Sequence, residues 1–190
     1  MNSVIFNCET ITPMFLAGAD KERAELRAPS IKGAMRFWWR AVKGMDDIEK
    51  LKDVEGKIFG GTGEKEGKSK IAVRVIHNGL GDFKKGNLLY SAMLPNRERG
   101  YIKDGFPFSV RLSCHDKDVR GLRQAMASFW VLVYLGGLGT RPRRGGGNMV
   151  VTSCKVEGEI NGDLPDFVIG GGNSDKVATW LKENCNTLLI

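Results

Sequence analysis

The 190-residue sequence has no hydrophobic run long enough to cross a membrane. The longest run, Phe129–Leu135, is about a third of the roughly 18–20 apolar residues that a spanning helix needs. The first ten residues also lack the basic start and the apolar core of a signal peptide. From these absences we expect a cytoplasmic protein with no membrane partner.

Cysteine and histidine are scarce, with four and two residues respectively, and no C-x-x-C pair occurs. Spacings typical of a zinc site or a redox motif are therefore missing, and we expect no metal and no other cofactor. We interpret Cys8, Cys114, Cys154 and Cys185 as small buried hydrophobes in a reducing compartment.

The composition is that of a globular protein, with 42% hydrophobic and 27% charged residues, which excludes a disordered chain. The net charge of +7 is unevenly distributed. Residues 1–156 hold 27 basic and 16 acidic side chains, whereas residues 157–190 hold 2 and 6. A basic body with an acidic extension indicates a polyanionic partner. We divide the chain into a domain of residues 1–156 and a C-terminal extension of residues 157–190.

Hydrophobic periodicity predicts four main strands and two main helices. The strands are Val4–Glu9, Lys70–His77, Phe106–Cys114 and Met149–Val156, and the helices are one opening at Pro29 and Val119–Leu135. This β-α-β-β-α-β order predicts an α+β, ferredoxin-like (RRM-like) fold with its strands in the order fourth, first, third, second. Both helices cover one face of the antiparallel sheet, and the other face is free for a partner. Smaller predicted elements are a helix at Asp46–Val54, a hairpin arm at Leu88–Leu94 and an amphipathic helix at Asp175–Cys185.

The first helix carries a one-sided set of cations. Lys32, Arg36, Arg40 and Lys43 fall within an arc about 80° wide, and no acidic residue lies between Arg27 and Lys43. A solvated helix face usually mixes charges of both signs, so this arc favours binding of an anion. Of the two neighbouring tryptophans, we assign Trp38 to the core and Trp39 to the edge of the arc.

The segment Gly136–Gly147, which joins the last helix to the last strand, combines glycines with three arginines. Glycine lets a backbone approach a ligand closely, and arginine matches phosphate with forked donors. The segment is longer than a hairpin-like turn requires. It is therefore a candidate clamp for a phosphate backbone.

Parts of the sequence suggest three other functions. Gly61–Ser69 superficially resembles a nucleotide-binding P-loop, but Thr62 occupies the position of its first glycine and a strand follows where a helix is required. A metal-independent endoribonuclease would depend on His77 and His115, both at strand ends. A scaffold subunit that binds only proteins would use the C-terminal helix.

The glycine segment also carries a family motif. Gly137–Gly145 fits G-h-G-x5-G, where h is hydrophobic and a basic residue occurs among the x positions. In this respect the sequence resembles the RAMP superfamily of CRISPR proteins. The N-terminal half adds Thr12–Phe15, Arg27–Gly33, Arg36–Arg40 and Ile58–Gly60, which resemble the first-numbered RAMP subunits of type III-B (Cmr) effector complexes.

The resemblance implies a non-catalytic, RNA-binding subunit of an RNA-guided antiviral complex. Its expected partners are guide (crRNA) or target RNA and other RAMP subunits. The matched positions expected to contact RNA are Lys32, Arg36, Arg40, Gly137, Gly139, Arg141, Arg143, Arg144 and Gly145. Members of this subunit family generally carry two ferredoxin-like domains, so the resemblance implies that residues 157–190 are a remnant or the truncated start of a second domain.

Overall fold

The computed structural model describes residues 1–20, 22–61, 67–77, 83–86 and 99–188, with the backbone alone for residues 83–86. Its centre is a four-stranded antiparallel sheet in the order β2-β5-β1-β6. The strands are β1 (Asn2–Thr10), β2 (Ile71–Ile76), β5 (Pro107–Cys114) and β6 (Met149–Glu157). This order confirms the predicted ferredoxin-like arrangement, with the two most buried strands of the sheet, β1 and β5, side by side in the middle.

Two helices pack on one face of the sheet. Helix α1 (Ala28–Lys43) has Pro29 near its start and ends at Gly44, whose φ of 51° is a left-handed conformation that suits glycine. Helix α3 (Val119–Val131) continues into a π-helical turn, Leu132–Gly136. Alternate residues of the central strands, such as Phe6 and Val110, are fully buried beneath these helices. The core therefore lies between the sheet and one helical layer.

Two insertions separate β1 from β5 beyond the basic pattern. Helix α2 (Ile48–Phe59) is capped by Asp47, which accepts a hydrogen bond from the Lys50 N–H at 3.0 Å. It extends five residues beyond the predicted end at Val54, because Ile58 and Phe59 are buried in the core. A short hairpin pairs β3 (Phe83–Gly86) with β4 (Arg99–Ile102). The predicted arm Leu88–Leu94 and the P-loop position Thr62 lie outside the described residues.

Two assignments of core residues from the sequence were wrong. Trp39 is the buried tryptophan of α1, at 4% exposure, and its indole N–H donates to Gln124 on α3, whereas Trp38 is half-buried. Cys8 and Cys114 are buried as predicted, but Cys154 is exposed because β6 is an edge strand whose C-terminal half extends past the helices. Burial raises the pKa of the Cys8 thiol to about 12, which leaves it protonated and unreactive.

The acidic extension packs against the domain. Phe167 is buried, with its ring 4.4 Å from that of Phe6, and helix α4 (Ser174–Thr187) stacks Trp180 5.5 Å from Trp130 of α3. The Trp130 indole N–H donates to the carbonyl of Asp166 at 2.9 Å. Residues 158–188 therefore share the aromatic core. Within the described ranges, no helix combines the length and the apolar character that crossing a bilayer demands.

Candidate nucleic-acid interface

The glycine loop, residues 136–147, is held in place by backbone hydrogen bonds to the segment that follows β1. The Thr140 N–H donates to the Phe15 carbonyl at 2.8 Å, and the Gly147 N–H donates to the Pro13 carbonyl at 3.0 Å. Across the loop itself, the Leu138 N–H donates to the Gly147 carbonyl at 2.9 Å. Leu138 is also buried, so the conformation of the loop is set by contacts within the chain.

The motif glycines serve two different purposes. At Gly139, with φ of 95°, an added Cβ would lie 2.5 Å from the Phe15 carbonyl oxygen, so this position requires glycine for packing. Gly137 is similarly crowded by Pro142, at 2.9 Å. Gly145 has φ of 82° but nothing within 4 Å of an added Cβ. Of the three glycines predicted to contact RNA, only Gly145 therefore presents its backbone to open space.

Two of the loop arginines, Arg143 and Arg144, lie within a short 3-10 turn, Pro142–Arg144, at the surface, and Arg141 immediately precedes it. Arg143 and Arg144 are exposed and Arg141 is half-buried. Within the described part of the chain, none of the three side chains has a hydrogen-bond or ion-pair partner. Arg141 has φ of 61°, the one positive φ among the described residues other than glycine. Such backbone strain in a non-glycine residue is often retained at a binding site.

A groove of about 970 Å³ runs between this loop and α1. Its walls come from three segments: one side of α1, the strap Phe15–Gly18, and the first half of the glycine loop. Arg99 of β4 and Arg143 of the loop also line it. The groove therefore combines a largely apolar wall with guanidinium groups, the combination that proteins use to hold a single-stranded nucleic acid.

Two aromatic side chains of α1 form the wall that the sequence analysis missed. Phe37 is 57% exposed and meets Trp38 edge-on, with ring centroids 5.4 Å apart. The Trp38 indole lies so close to Gly136 that a Cβ there would be 2.5 Å from Nε1. Three consecutive aromatics, Phe37–Trp39, span about 200° of a helix, so they cannot all face the core. This run of aromatic residues is the feature of the sequence from which an exposed aromatic surface could have been predicted.

The basic arc of α1 faces α2, which supplies the acid that the local sequence lacked. Glu55 is 3% exposed, and both of its oxygens accept from Arg40 Nη1, at 2.7 and 2.8 Å. The same carboxylate accepts from Arg36 Nε, while Arg36 Nη1 donates to the Gly60 carbonyl at 2.9 Å. The absence of acidic residues along the sequence of α1 therefore does not leave this face without an acidic partner, because the partner comes from the next helix.

Lys32, the third member of the arc, is also engaged. Its Nζ donates to Ser69 Oγ at 2.6 Å and to the Ile71 carbonyl at 3.4 Å. Burial, reinforced by the neighbouring Arg36 charge, lowers the pKa of Lys32 below its usual range. Arg36 and Trp38 are two residues apart, about 200° around the helix. The arc and the groove consequently lie on different sides of α1, and the structure does not bring the two predicted sets of cations into one cleft.

The residues of the alternative chemistries are scattered. His77 follows β2 and His115 follows β5, and these strands are antiparallel, so the two histidines lie at opposite ends of the sheet. Asp118 pairs with Lys70 at 3.2 Å, and Asp116 pairs with the N-terminal amine. In the portion of the chain that is described, no cluster of three histidine, cysteine or acidic side chains is positioned to hold a metal ion.

Comparison with known proteins gives the chain a family. A model of the RAMP superfamily matches residues 7–150. The CRISPR system Cmr subunit Cmr1-2 of Pyrococcus furiosus is 36% identical over 187 residues, covering 80% of this chain and 96% of that protein. Subunit Cmr1-1 of the same organism is 37% identical over 164 residues, covering 80% of this chain and 48% of that protein.

Solved structures agree with this relationship. The crystal structure of Cmr1 from Pyrococcus furiosus in its apo form matches with a TM-score of 0.61 and 29% identity, over 84% of this chain and 51% of that one. A chain of the type III-B Cmr-beta complex bound to cognate target RNA shares the fold at a TM-score of 0.71 and 12% identity, over 98% and 62% of the two chains. This chain thus spans about half the length of Cmr1-1 and of the solved Cmr1, and nearly all of Cmr1-2. On its sequence, its glycine-loop motif and its sheet order, the chain belongs to the RAMP superfamily and is related to the Cmr1 subunits.

Proposed function

We propose that this chain is a non-catalytic RNA-binding subunit of a type III-B CRISPR effector complex, where it contacts the backbone of guide or target RNA in the cytoplasm. Two relatives are named as Cmr subunits, and one structure of the same fold comes from a complex bound to target RNA. The expected neighbours are other RAMP subunits.

The observation that carries this proposal is a packed loop beside an aromatic groove, with three arginines that have no partner among the described residues. Arginine forms forked, charge-assisted hydrogen bonds to phosphate, each typically worth about 1.5–3 kcal/mol. The exposed ring of Phe37 offers a stacking surface for a base, which is a sequence-tolerant contact. Together these groups bind RNA by charge and shape and leave sequence recognition to base pairing.

Within the proposal, the loop and the helix arc contribute differently. Arg141, Arg143 and Arg144, with the open backbone at Gly145, make the principal phosphate contacts, while Gly137 and Gly139 hold the loop in shape. Of the two arginines of the arc, Arg40 has the more exposed side chain, at 40% against 34% for Arg36, and its Nε and Nη2 donors remain for a phosphate. Lys32 and Arg36 chiefly add positive potential, since their donors are already used within the fold.

The non-catalytic part of the proposal rests on the histidines. A two-histidine endoribonuclease needs an acid and a base that converge on one phosphate. His77 and His115 lie at opposite ends of antiparallel strands, separated by roughly six residues, or about 20 Å. We therefore expect incubation with repeat RNA in the absence of metal to leave the RNA intact.

The test is the triple variant Arg141→Ala, Arg143→Ala, Arg144→Ala, measured by fluorescence anisotropy with a labelled single-stranded RNA between roughly 50 and 200 mM salt. We expect affinity at the low-salt end to fall by about tenfold or more. The slope of log K against log salt should become less steep by about 2, at about 0.7 per lost phosphate contact on a single strand.

A matched control removes the same charge elsewhere. Lys50, Lys117 and Lys182 are exposed and lie away from the loop, so their replacement by alanine should leave the slope close to that of the parent chain. If the loop variant and the control bind RNA equally well, the loop is not the RNA site. If neither variant nor parent binds RNA while the chain still associates with other subunits, the chain is a protein-only scaffold and the proposal fails.

A further inference from the structure

The face of the sheet opposite the helices carries a row of cations that the groove does not explain. Neighbouring strands place Arg74 of β2 beside Arg111 of β5, Arg111 beside Ile5 of β1, and Ile5 beside Lys155 of β6. The row thus crosses all four strands, over about 14 Å at the usual strand spacing. The four residues are aligned by pairings between strands that are distant in sequence.

Arg74 and Arg111 are direct cross-strand partners with the same charge. Such a pair destabilises a sheet, because the two side chains lie side by side on one face. Arg111 is compensated by Glu157, whose Oε2 accepts from its Nη2 at 2.9 Å. Arg74 is exposed and has no hydrogen-bond or ion-pair partner in the described part of the chain. Glu157 therefore offsets the charge of Arg111 but not that of Arg74, which is left for an external anion to neutralise.

Glu157 does not cancel the row. Its carboxylate is shared by Ser3 Oγ at 2.9 Å, Lys155 Nζ at 3.2 Å and Arg111. The hydrogen bond from Ser3, followed by that from Lys155, lowers the pKa of Glu157 below its usual range, so this one negative charge stands against the three positive charges of the row.

The row next to the cations is made of short polar side chains. Ser109 Oγ donates to Asn7 Oδ1 at 2.7 Å, and Asn7 Nδ2 donates to Ser153 Oγ at 2.8 Å, so the three are linked across β5, β1 and β6. Ile76, at 47% exposure, stands at the end of this row beside Ser109. Arginine, lysine, serine and asparagine are all among the side chains that contact phosphate and sugar in protein–nucleic acid complexes. A protein-binding hot spot would instead centre on large anchors that fill pockets.

We propose that this open sheet face, defined by Arg74, Arg111, Lys155, Asn7, Ser109 and Ser153, is a second RNA-binding surface that contacts phosphates and ribose hydroxyls. It is separate from the groove, because the groove lies on the helical side of the sheet. Arg74, Arg111 and Lys155 contact phosphates, and the serine–asparagine row contacts the sugar.

The first test uses the double variant Arg74→Gln, Lys155→Gln in the full chain, which leaves Arg111 and its bonds to Ser3 and Glu157 in place. With a labelled single-stranded RNA, we expect binding to weaken by about tenfold and the salt slope to become less steep by about 1.4, for two lost phosphate contacts. The control Lys50→Gln, Lys182→Gln removes the same charge and should leave the slope unchanged. Equal RNA binding by the variant and the control overturns the proposal.

A second variant separates binding from folding. Arg74→Glu replaces the repulsive pair with an attractive one, so we expect the melting temperature to rise while RNA binding weakens. A purely structural role for Arg74 would move both quantities in the same direction. The proposal is contradicted if the Arg74→Glu variant binds RNA as tightly as the parent chain. It is also contradicted if the variant loses only its binding to a protein partner.

Combining these changes with the loop triple variant distinguishes the two sites. If the groove and the face bind independently, their losses in binding free energy add. If only the loop variant loses RNA, the face proposal fails and the proposed function stands. If only the face variant loses RNA, the groove assignment fails and the face proposal stands.

Discussion

Glu55 is the residue on which the inner side of α1 depends. It is a buried carboxylate that binds two arginines of another helix, while the arginine side chains remain about one-third exposed. Because the ends of the arginine side chains stay in contact with water, these two ion pairs cost less desolvation free energy than fully buried ion pairs would. Glu55 thereby fixes the position of α2 against α1.

Replacing Glu55 by glutamine should lower the free energy of unfolding by about 2 kcal/mol, since it leaves two arginines with weaker acceptors and removes their counter-charge. Urea denaturation followed by circular dichroism measures the change. The control is Glu49→Gln on the same helix. The Glu49 side chain is 85% exposed and, among the residues that the structure describes, pairs with Lys52 alone, so this change should shift stability by less than about 0.5 kcal/mol. A Glu55 variant as stable as that control would show that the pairing contributes nothing.

At the scale of elements, two of the positive-φ glycines in the glycine loop have different surroundings. Gly139 is crowded by the Phe15 carbonyl, and Gly145 is open. Replacing Gly145 by alanine should lower the free energy of unfolding by about 1–2 kcal/mol, which is the cost of placing a residue with a Cβ in a left-handed conformation. Alanine at Gly139 adds a steric clash with a backbone atom, so its cost should exceed that of the Gly145 variant by more than about 1 kcal/mol. Thermal unfolding of the two variants compares them directly, and equal costs would mean that the loop is not packed on the strap.

The sequence predicted these elements unequally well. The alternation in Phe106–Cys114 and the apolar second half of Val119–Leu135 report burial directly, and both predicted elements form. Trp38 and Trp39 could not be told apart, because positions three and four residues after Met35 both fit one helix face. Which of them is buried depends on where α3 places Gln124, a tertiary contact.

The site was harder to predict than the fold for a related reason. The arc of α1 contains no acid along its own sequence, and Glu55 reaches it from 15 to 19 residues away through the turn between two helices. The groove likewise exists only because the loop folds back onto Pro13 and Phe15, far away in the chain. The local sequence shows where cations and glycines cluster. Contacts between distant elements decide which of those cations remain available to bind a ligand.

At the scale of the whole molecule, the C-terminal extension belongs to the same packed unit as the sheet. Phe167 touches Phe6 of β1 and Phe129 of α3, and Trp180 of α4 touches Trp130 and Tyr134. A change in these contacts should therefore affect the stability of the entire domain.

We expect Phe167→Ala to lower the free energy of unfolding by about 3–5 kcal/mol, the cost of a large cavity in a core. Val168→Ala is the neighbouring control, with a side chain already 39% exposed and an expected cost of less than about 1 kcal/mol. Circular dichroism and tryptophan fluorescence should report coincident transitions for the parent chain. Separate transitions, with the sheet unaffected by the Phe167 change, would make residues 157–190 an independent unit.

The position of β1 also governs when the molecule becomes able to fold during synthesis. Its Ser3 bonds side chains that lie 108 and 154 residues later, because both neighbours of β1 in the sheet come from the second half of the chain. At roughly 5–20 residues per second, a ribosome needs about 5–20 s to reach the first of these partners. Throughout that interval, an apolar strand leaves the ribosome with both hydrogen-bonding edges unoccupied. The nascent chain accordingly exposes an unpaired strand to aggregation during synthesis, and we expect its folding rate to be set by the late arrival of β5 and β6.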